Sequence, residues 1–301
     1  MLLFWVLFNV FVVLMLAVDL FLFHRPAHRL TMRQALTWSG TWITLAAAFA
    51  VLLYFRFGHN TALEFTTGYI VEFSLSVDNL FLFLVIFRYF QVPSEFQHKV
   101  LFWGIIGAIV MRGVFILVGI RLISAFHWII YIFGAFLIYT GIKLWTEEHT
   151  VAPEKNPILG LFRRWVPVTA SYQGEKFFIR NQKTFATPLF IVLLMIETTD
   201  VLFATDSIPA ILAITLNAFV VYTSNVFAIL GLRSFFFVLA GLMQMFHYLH
   251  YGLSIVLILI GAKMLASDYY QIPTSATLTA VAGVLLASVL ISLLRPKNEP
   301  S

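Results

Sequence analysis

Apolar residues run almost unbroken for about 17–25 positions at a time and then give way to short polar breaks, the length that carries an α-helix across a bilayer. Such runs lie near 2–23, 40–57, 66–88, 99–120, 123–145, 187–213, 219–245, 250–267 and 274–294. They predict an all-α, polytopic membrane protein of nine transmembrane helices in a single transmembrane domain, residues 1–301. Residues 146–186 break the pattern. They are mixed in charge, contain Pro153, Pro157 and Pro167, and are too polar to span and too short for a separate domain. No Lys or Arg precedes the first run, which ends in Arg25, Arg29 and Arg33 rather than at a small-residue cleavage site. It reads as an anchor helix and not as a signal peptide.

The pattern repeats itself. Residues 126–143, FHWIIYIFGAFLIYTGIK, align without a gap on residues 246–263, FHYLHYGLSIVLILIGAK. Phe126, His127, Tyr131, Leu137, Ile138, Gly141 and Lys143 meet their own residue types at Phe246, His247, Tyr251, Leu257, Ile258, Gly261 and Lys263. Upstream, Arg112 matches Arg233 after a one-residue adjustment, and Glu72 and Asp78 match Asp200 and Asp206 at equal spacing. Helices 3–5 (66–145) therefore correspond to helices 6–8 (187–267). Three is an odd number of crossings, so the second copy must run in the opposite sense. That is an inverted-topology repeat, the construction of many secondary transporters.

Composition sharpens this. Charged residues make up 11% of the chain and hydrophobic residues 61%, against about 25% charged in a soluble domain. Lipid is the solvent such a surface needs. The net charge of +5 does not point to nucleic acid, because Lys and Arg in a membrane protein mark cytoplasmic loops. With the N-terminus outside, the inner loops collect Arg25, Arg29, Arg33, Arg88, Lys99, Lys143, Lys155, Arg163, Arg164, Lys176, Arg180, Lys183, Arg295 and Lys297. The outer side keeps Arg56, Arg121 and Lys263. The expected topology is N-terminus out, C-terminus in, with 146–186 cytoplasmic. Cysteine is absent, which excludes thiolate metal sites, iron–sulfur clusters and Cys nucleophiles.

The chemistry sits in two runs. VEFSLSVDNLF on helix 3 holds Glu72, Ser76, Asp78 and Asn79; ETTDVLFATDSIPA on helix 6 holds Glu197, Asp200, Asp206 and Ser207. An acid at mid-helix costs roughly 2.5–3.5 kcal/mol on insertion scales, so five of them total about 12–18 kcal/mol if ionised and unpaired. A bound cation, protonation, a buried arginine or water must offset this. Glu72, Ser76 and Asn79 share one helical stripe, as do Glu197, Asp200 and Ser207. At 100° per residue Asp78 and Asp206 lie about 240° round from the first acid of their pair. Pro209 removes a backbone donor and is expected to kink or unwind helix 6, freeing carbonyl oxygens beside Asp206; helix 3 has Phe81 at the matching place. Carboxylate, amide and hydroxyl oxygens suit Mg²⁺, Ca²⁺ or Mn²⁺. The candidate metal ligands are Asp78, Asp206, Glu72, Glu197, Asp200, Asn79 and Ser207. Arg112 and Arg233 cannot shed their charge and are expected to pair with acids. His127 and His247 lie at helix starts near opposite surfaces and are expected in core or interfacial roles, as is Asp19 near His24 and Arg25. The plain alternative for the acids is a structural polar network between helices.

The runs EFSLSVDNLF and ETTDVLFATDSIPAIL, followed by TSNVFAILGLR, resemble the signature of the TerC family of membrane proteins, and within it the Alx-type branch. The likeness extends over nearly the whole chain, including TMRQALTWSGTWITL and TGYIVEFSLSVDN. The family is associated with tellurium resistance and manganese efflux, its Alx-type members with alkaline pH, and it is thought related to a group of small exporters that includes lysine exporters. The resemblance implies an inner-membrane Mn²⁺ exporter with acids at the positions of Asp78 and Asp206. The chain departs from relatives at two places: Phe73, where Lys is common, and the pair Asn217–Ala218, where Asp-Pro is common. The second change puts an acidic release vestibule there in doubt.

The expected mechanism is alternating access. Cytoplasmic Mn²⁺ enters between helices 3 and 6, and protons from outside discharge it. The ion is cargo, and no cofactor is expected. No GxxxxGK[ST] run is present, so ATP does not drive the step in this chain. An enzyme is not expected: an intramembrane aspartyl protease would carry GxGD, whereas Asp78 follows Ser-Val and Asp206 follows Ala-Thr, and HExxH is missing. The remaining alternative is a membrane-protein assembly or insertion factor without transport activity.

Overall fold

The computed structural model describes residues 2–23, 32–126, 128–146, 166–169, 171–181, 183–242, 249–267, 270 and 272–294. Nine α-helices run through them. They are α1 (Leu2–Phe23), α2 (Met32–Phe57), α3 (His59–Tyr89), α4 (Ser94–Ala125), α5 (Ile129–Thr146), α6 (Pro188–Leu212), α7 (Ala218–Leu242), α8 (Leu249–Leu265) and α9 (Thr274–Leu294). Seven are long and apolar enough to cross a membrane; α1 and α8 carry the shorter apolar stretches Leu3–Val18 and Tyr251–Leu265. Helices are the form such sequences must take, because lipid offers no partner for backbone N–H and C=O groups.

Several helices outrun their apolar cores. The second begins at Met32 rather than near 40, the third at His59 rather than 66 and the fourth at Ser94 rather than 99. The added turns are polar but helix-compatible, and their hydroxyls fold back on the helix: Thr37 Oγ1 donates to the carbonyl of Arg33 at 2.9 Å. Arg33 therefore belongs to α2 and not to a loop. One residue, Gly58, separates α2 from α3. Its φ of 92° is open to glycine alone at low cost. Its N–H bonds the carbonyl of Tyr54 while its own carbonyl receives the N–H of Ala62.

The stretch expected to be plain loop contains an antiparallel hairpin, β1 (Phe178–Asn181) and β2 (Lys183–Ala186), in register Phe178↔Ala186. It escaped a helix-length hydropathy reading because each strand has only four residues. The segment is anchored to the bundle. Tyr172 donates its hydroxyl to the carbonyl of Phe90 in the α3–α4 turn at 2.7 Å, and Phe178 packs on Phe190 of α6, ring centroids 4.4 Å apart. Arg25, Arg29, Lys155, Arg163, Arg164, Arg295, Lys297, His24, His127 and His247 lie outside the described residues, and so does the side chain of Asp19.

Packing places α7 at the centre. It lies against α3, α2 and α4, while α4 packs on α6 and α5 on α8. An aromatic seam joins α1 and α2 to α7: Trp5 meets Phe219 at 5.3 Å, Phe8 meets Phe227 at 5.7 Å and Phe49 meets Phe227 at 5.0 Å. The α5–α8 crossing is antiparallel and reciprocal. A Cβ added at Gly261 would meet the carbonyl oxygen of Gly134 at 2.6 Å and Cγ1 of Ile138 at 2.8 Å. A Cβ added at Gly141 would meet the carbonyl oxygen of Ser254 and Cγ1 of Ile258, both at 2.8 Å. Shifting 134, 138 and 141 by 120 positions gives 254, 258 and 261, so each helix offers its neighbour the surface it receives.

Candidate functional site

Glu72, Ser76 and Asn79 are all buried, at 0, 0 and 5% exposure, so the stripe predicted on α3 faces the protein interior. Ser76 Oγ donates to Glu72 Oε1 at 2.9 Å. Asp200 and Ser207 on α6 are buried likewise. Between the two helices stands Arg112 of α4, 1% exposed. Its guanidinium forms an ion pair with Glu72 and grips Asp200 as a fork, Nη2 to Oδ1 at 3.1 Å and Nε to Oδ2 at 3.4 Å. Nη1 also reaches Oδ1 of Asn225 on α7 at 2.9 Å and Ser207 Oγ at 3.4 Å. One cation thus ties together α3, α4, α6 and α7, with one carboxylate from each side of the hairpin loop. Arginine suits the place, because its planar fork satisfies several acceptors and its charge survives burial. Arg112 is thus paired with two carboxylates, those of Glu72 and Asp200.

Glu197, one turn before Asp200, is only partly buried and turns to α4. Its carboxylate fills the space a side chain at position 107 would need, so Gly107 is what admits it. Gly68 plays the same part between α3 and α7, where an added Cβ would lie 3.0 Å from Ser224 Oγ. Beside Asp200 is a small cavity of about 30 Å³ walled by Leu80, Phe83, Leu101, Ile105 and Ile196, with Asp200 and Arg233 both at its surface. Its size suits a water molecule or two. The Arg233 guanidinium lies 5.7 Å from the centre of the Phe102 ring, a cation–π distance.

α3 and α6 are helical through Asp78 and Asp206, whose side chains, like that of Phe81, lie outside the described residues. Among the described residues no three His, Asp or Glu side chains stand close enough to hold a metal ion. The expected unwinding at Pro209 does not occur. α6 stays helical to Leu212, and the N–H of Ala213 bonds the carbonyl of Pro209 at 3.0 Å. Close packing of Ile208, Ala210, Ile211 and Leu212, all buried, outweighs the single donor a proline removes. At the departures from relatives, Phe73 packs edge-on against Phe235 at 5.2 Å, and Asn217 caps α7 by accepting the N–H of Phe219 at 3.2 Å. Asn225 and Gly107 were not anticipated as site residues. The signal for Asn225 was an amide in the middle of the apolar run SNVFAIL.

Fold and junction together define a polytopic α-helical membrane protein built around buried charge. Residues 57–299 match the family described as "Integral membrane protein TerC family", and the chain belongs to that family; α1 and nearly all of α2 precede the matched stretch. It is 46% identical over 299 residues to the uncharacterized membrane protein STKORF319 of Myxococcus xanthus, covering 99% of this chain and 94% of that one. It is 45% identical over 300 residues to the putative membrane-bound redox modulator Alx of Escherichia coli strain K12, covering 96% and 93%. An uncharacterized membrane protein of Rickettsia bellii is 40% identical over 293 residues, covering 97% of each. No solved structure matches the chain.

Proposed function

We propose that this protein is a transporter, not an enzyme, and that it exports divalent metal ions, Mn²⁺ above all, across the inner membrane through an intramembrane carboxylate site. The observation that carries the reading is the junction itself: carboxylates of α3 and α6 meet at mid-helix on one buried guanidinium. Buried charge at membrane depth is the mark of an ion pathway. The reciprocal α5–α8 crossing supports two halves in inverted orientation, α3–α5 and α6–α8, which rock against each other about the site. Asp78 and Asp206 bind the ion, with Glu72, Glu197, Asp200, Asn79 and Ser207 supplying further oxygen. Protons entering from outside discharge it. The N-terminus lies outside and the C-terminus in the cytoplasm. The name redox modulator, carried by the Escherichia coli relative, has no thiol to act through here, since the chain lacks cysteine.

The test is flux of Mn²⁺ into vesicles holding the purified protein alone. The wild type moves the ion, and Asp78→Asn or Asp206→Asn loses most of that flux. Wild-type vesicles that stay impermeable to Mn²⁺ sink the reading and favour a role in membrane-protein assembly.

Gly107→Ala makes a finer prediction. The new methyl displaces the Glu197 carboxylate, the far end of a flexible side chain, so melting temperature changes by the equivalent of less than about 1 kcal/mol. Mn²⁺ flux falls nonetheless, because an acid beside the junction has been moved. Unchanged flux in a folded Gly107→Ala protein removes Glu197 from the pathway.

A further inference from the structure

We propose that Arg112 is a built-in stand-in for the transported cation: it occupies the carboxylate junction while the carrier is empty, and the divalent ion binds by displacing it. The inference rests on the transport reading above and deepens it.

Four features carry it. First, the guanidinium sits where a bridging cation would, on carboxylates from opposite halves, and at 1% exposure no solvent ion competes with it. Second, the junction is incomplete as filled. Among the described residues Glu72 Oε2 and Asn225 Nδ2 have no hydrogen-bond partner, although both residues are fully buried. A fixed structural salt bridge of this depth is stable only when its remaining lone pairs and protons are satisfied. An unused carboxylate oxygen on a residue of the junction is instead what an arriving divalent ion with its bound water requires, the ion taking the oxygen and the water accepting from the amide.

Third, Asp200 borders a second space. Gly104, Ala108 and Arg112 follow one another at four-residue spacing on α4, and long helical side chains lean towards the preceding turn. Gly104 and Ala108 line the 30 Å³ cavity, and Asp200 stands in its wall. The guanidinium can therefore let go of Glu72 and stay on Asp200, while the cavity, sized for a water molecule or two, admits the water that enters with the ion. Fourth, the exchange solves a charge problem. An empty carrier that must cross its closed state with bare carboxylates meets a large desolvation penalty. Arginine cannot be neutralised, so it compensates the carboxylates that return without a proton, and the metal compensates them on the loaded passage.

The experiment uses the full-length protein in nanodiscs with MnCl₂ as probe, comparing wild type, Arg112→Lys and Arg112→Gln in equilibrium binding and in Mn²⁺-dependent melting. Lysine keeps the charge but cannot fork across both carboxylates, so the competition weakens and the apparent Kd falls about tenfold. Glutamine removes the competitor: the Kd falls further, and Mn²⁺ raises the melting temperature more than in the wild type. In vesicles Arg112→Gln retains Mn²⁺/Mn²⁺ exchange but loses net efflux, since the empty form no longer returns. If both variants bind Mn²⁺ no more tightly than the wild type, the proposal is wrong. If Arg112→Gln gives no folded protein, Arg112→Lys alone decides by the same criterion. A wild type that transports, paired with an unchanged Kd in every folded variant of the two, overturns only this inference. A wild type without Mn²⁺ flux overturns the transport reading and this one with it.

Discussion

Arg112→Ala lowers the stability of the protein by about 3–5 kcal/mol, the usual result of removing one partner from a buried ion pair. Glu72 and Asp200 are almost wholly withdrawn from solvent, so neither carboxylate can turn to water when the guanidinium is gone. Asn225 and Ser207 lose a donor in the same change. The cost is therefore set less by the attraction that is lost than by the two anions left behind. Thermal unfolding in detergent, followed by intrinsic fluorescence and by the monodisperse fraction on size exclusion, measures it. Adding Glu72→Gln to Arg112→Ala removes one of the stranded charges and recovers part of the loss, so the two changes are strongly non-additive. A single Arg112→Ala variant within about 1 kcal/mol of the wild type would mean that the junction is not the buried network described here.

Gly261→Ala has the second large effect. The added methyl would stand 2.6 Å from the Gly134 carbonyl oxygen and 3.1 Å from the backbone nitrogen of Ile138. Backbone atoms cannot rotate aside, so α5 and α8 must separate along the most extensive helix pairing in the fold. Overpacking of this kind costs about 1–3 kcal/mol, and Gly261→Val costs more. The reciprocal geometry adds a second expectation: Gly141→Ala destabilises by a similar amount, because it meets the Ser254 carbonyl and Ile258 nitrogen at 2.8 and 3.2 Å. Gly283→Ala is the control. Nothing lies within 4 Å of a Cβ there, so it leaves stability unchanged or raises it by up to about 1 kcal/mol through helix propensity. Small residues at helix crossings matter in lipid because van der Waals contact, and not water exclusion, holds the helices together. Equal melting temperatures for Gly261→Ala and Gly283→Ala would refute the crossing.

Helix content, the approximate spans and the acid-bearing runs were all legible in the amino-acid order, because lipid makes hydropathy and helix length nearly the same variable. The stripe of Glu72, Ser76 and Asn79 was legible too, since helical periodicity alone puts the three on one face. The polar ends of α2, α3 and α4 were not, because hydropathy marks the hydrocarbon core and is silent on where a helix stops. Nor was the hairpin at Phe178–Ala186, too short to leave a periodic trace. The unwinding expected at Pro209 fails for a related reason: the packing that holds α6 helical comes from other helices. Only the tertiary structure could choose which acids Arg112 would hold. It lies 88 positions from Asp200 and 113 from Asn225, and a local pattern carries no information about partners brought together by the packing of four helices. That charge would be buried in the membrane follows from the order of residues alone; that one guanidinium would hold carboxylates of both α3 and α6 was decided by the arrangement of α3, α4, α6 and α7, because only convergence in space can satisfy a cation at that depth.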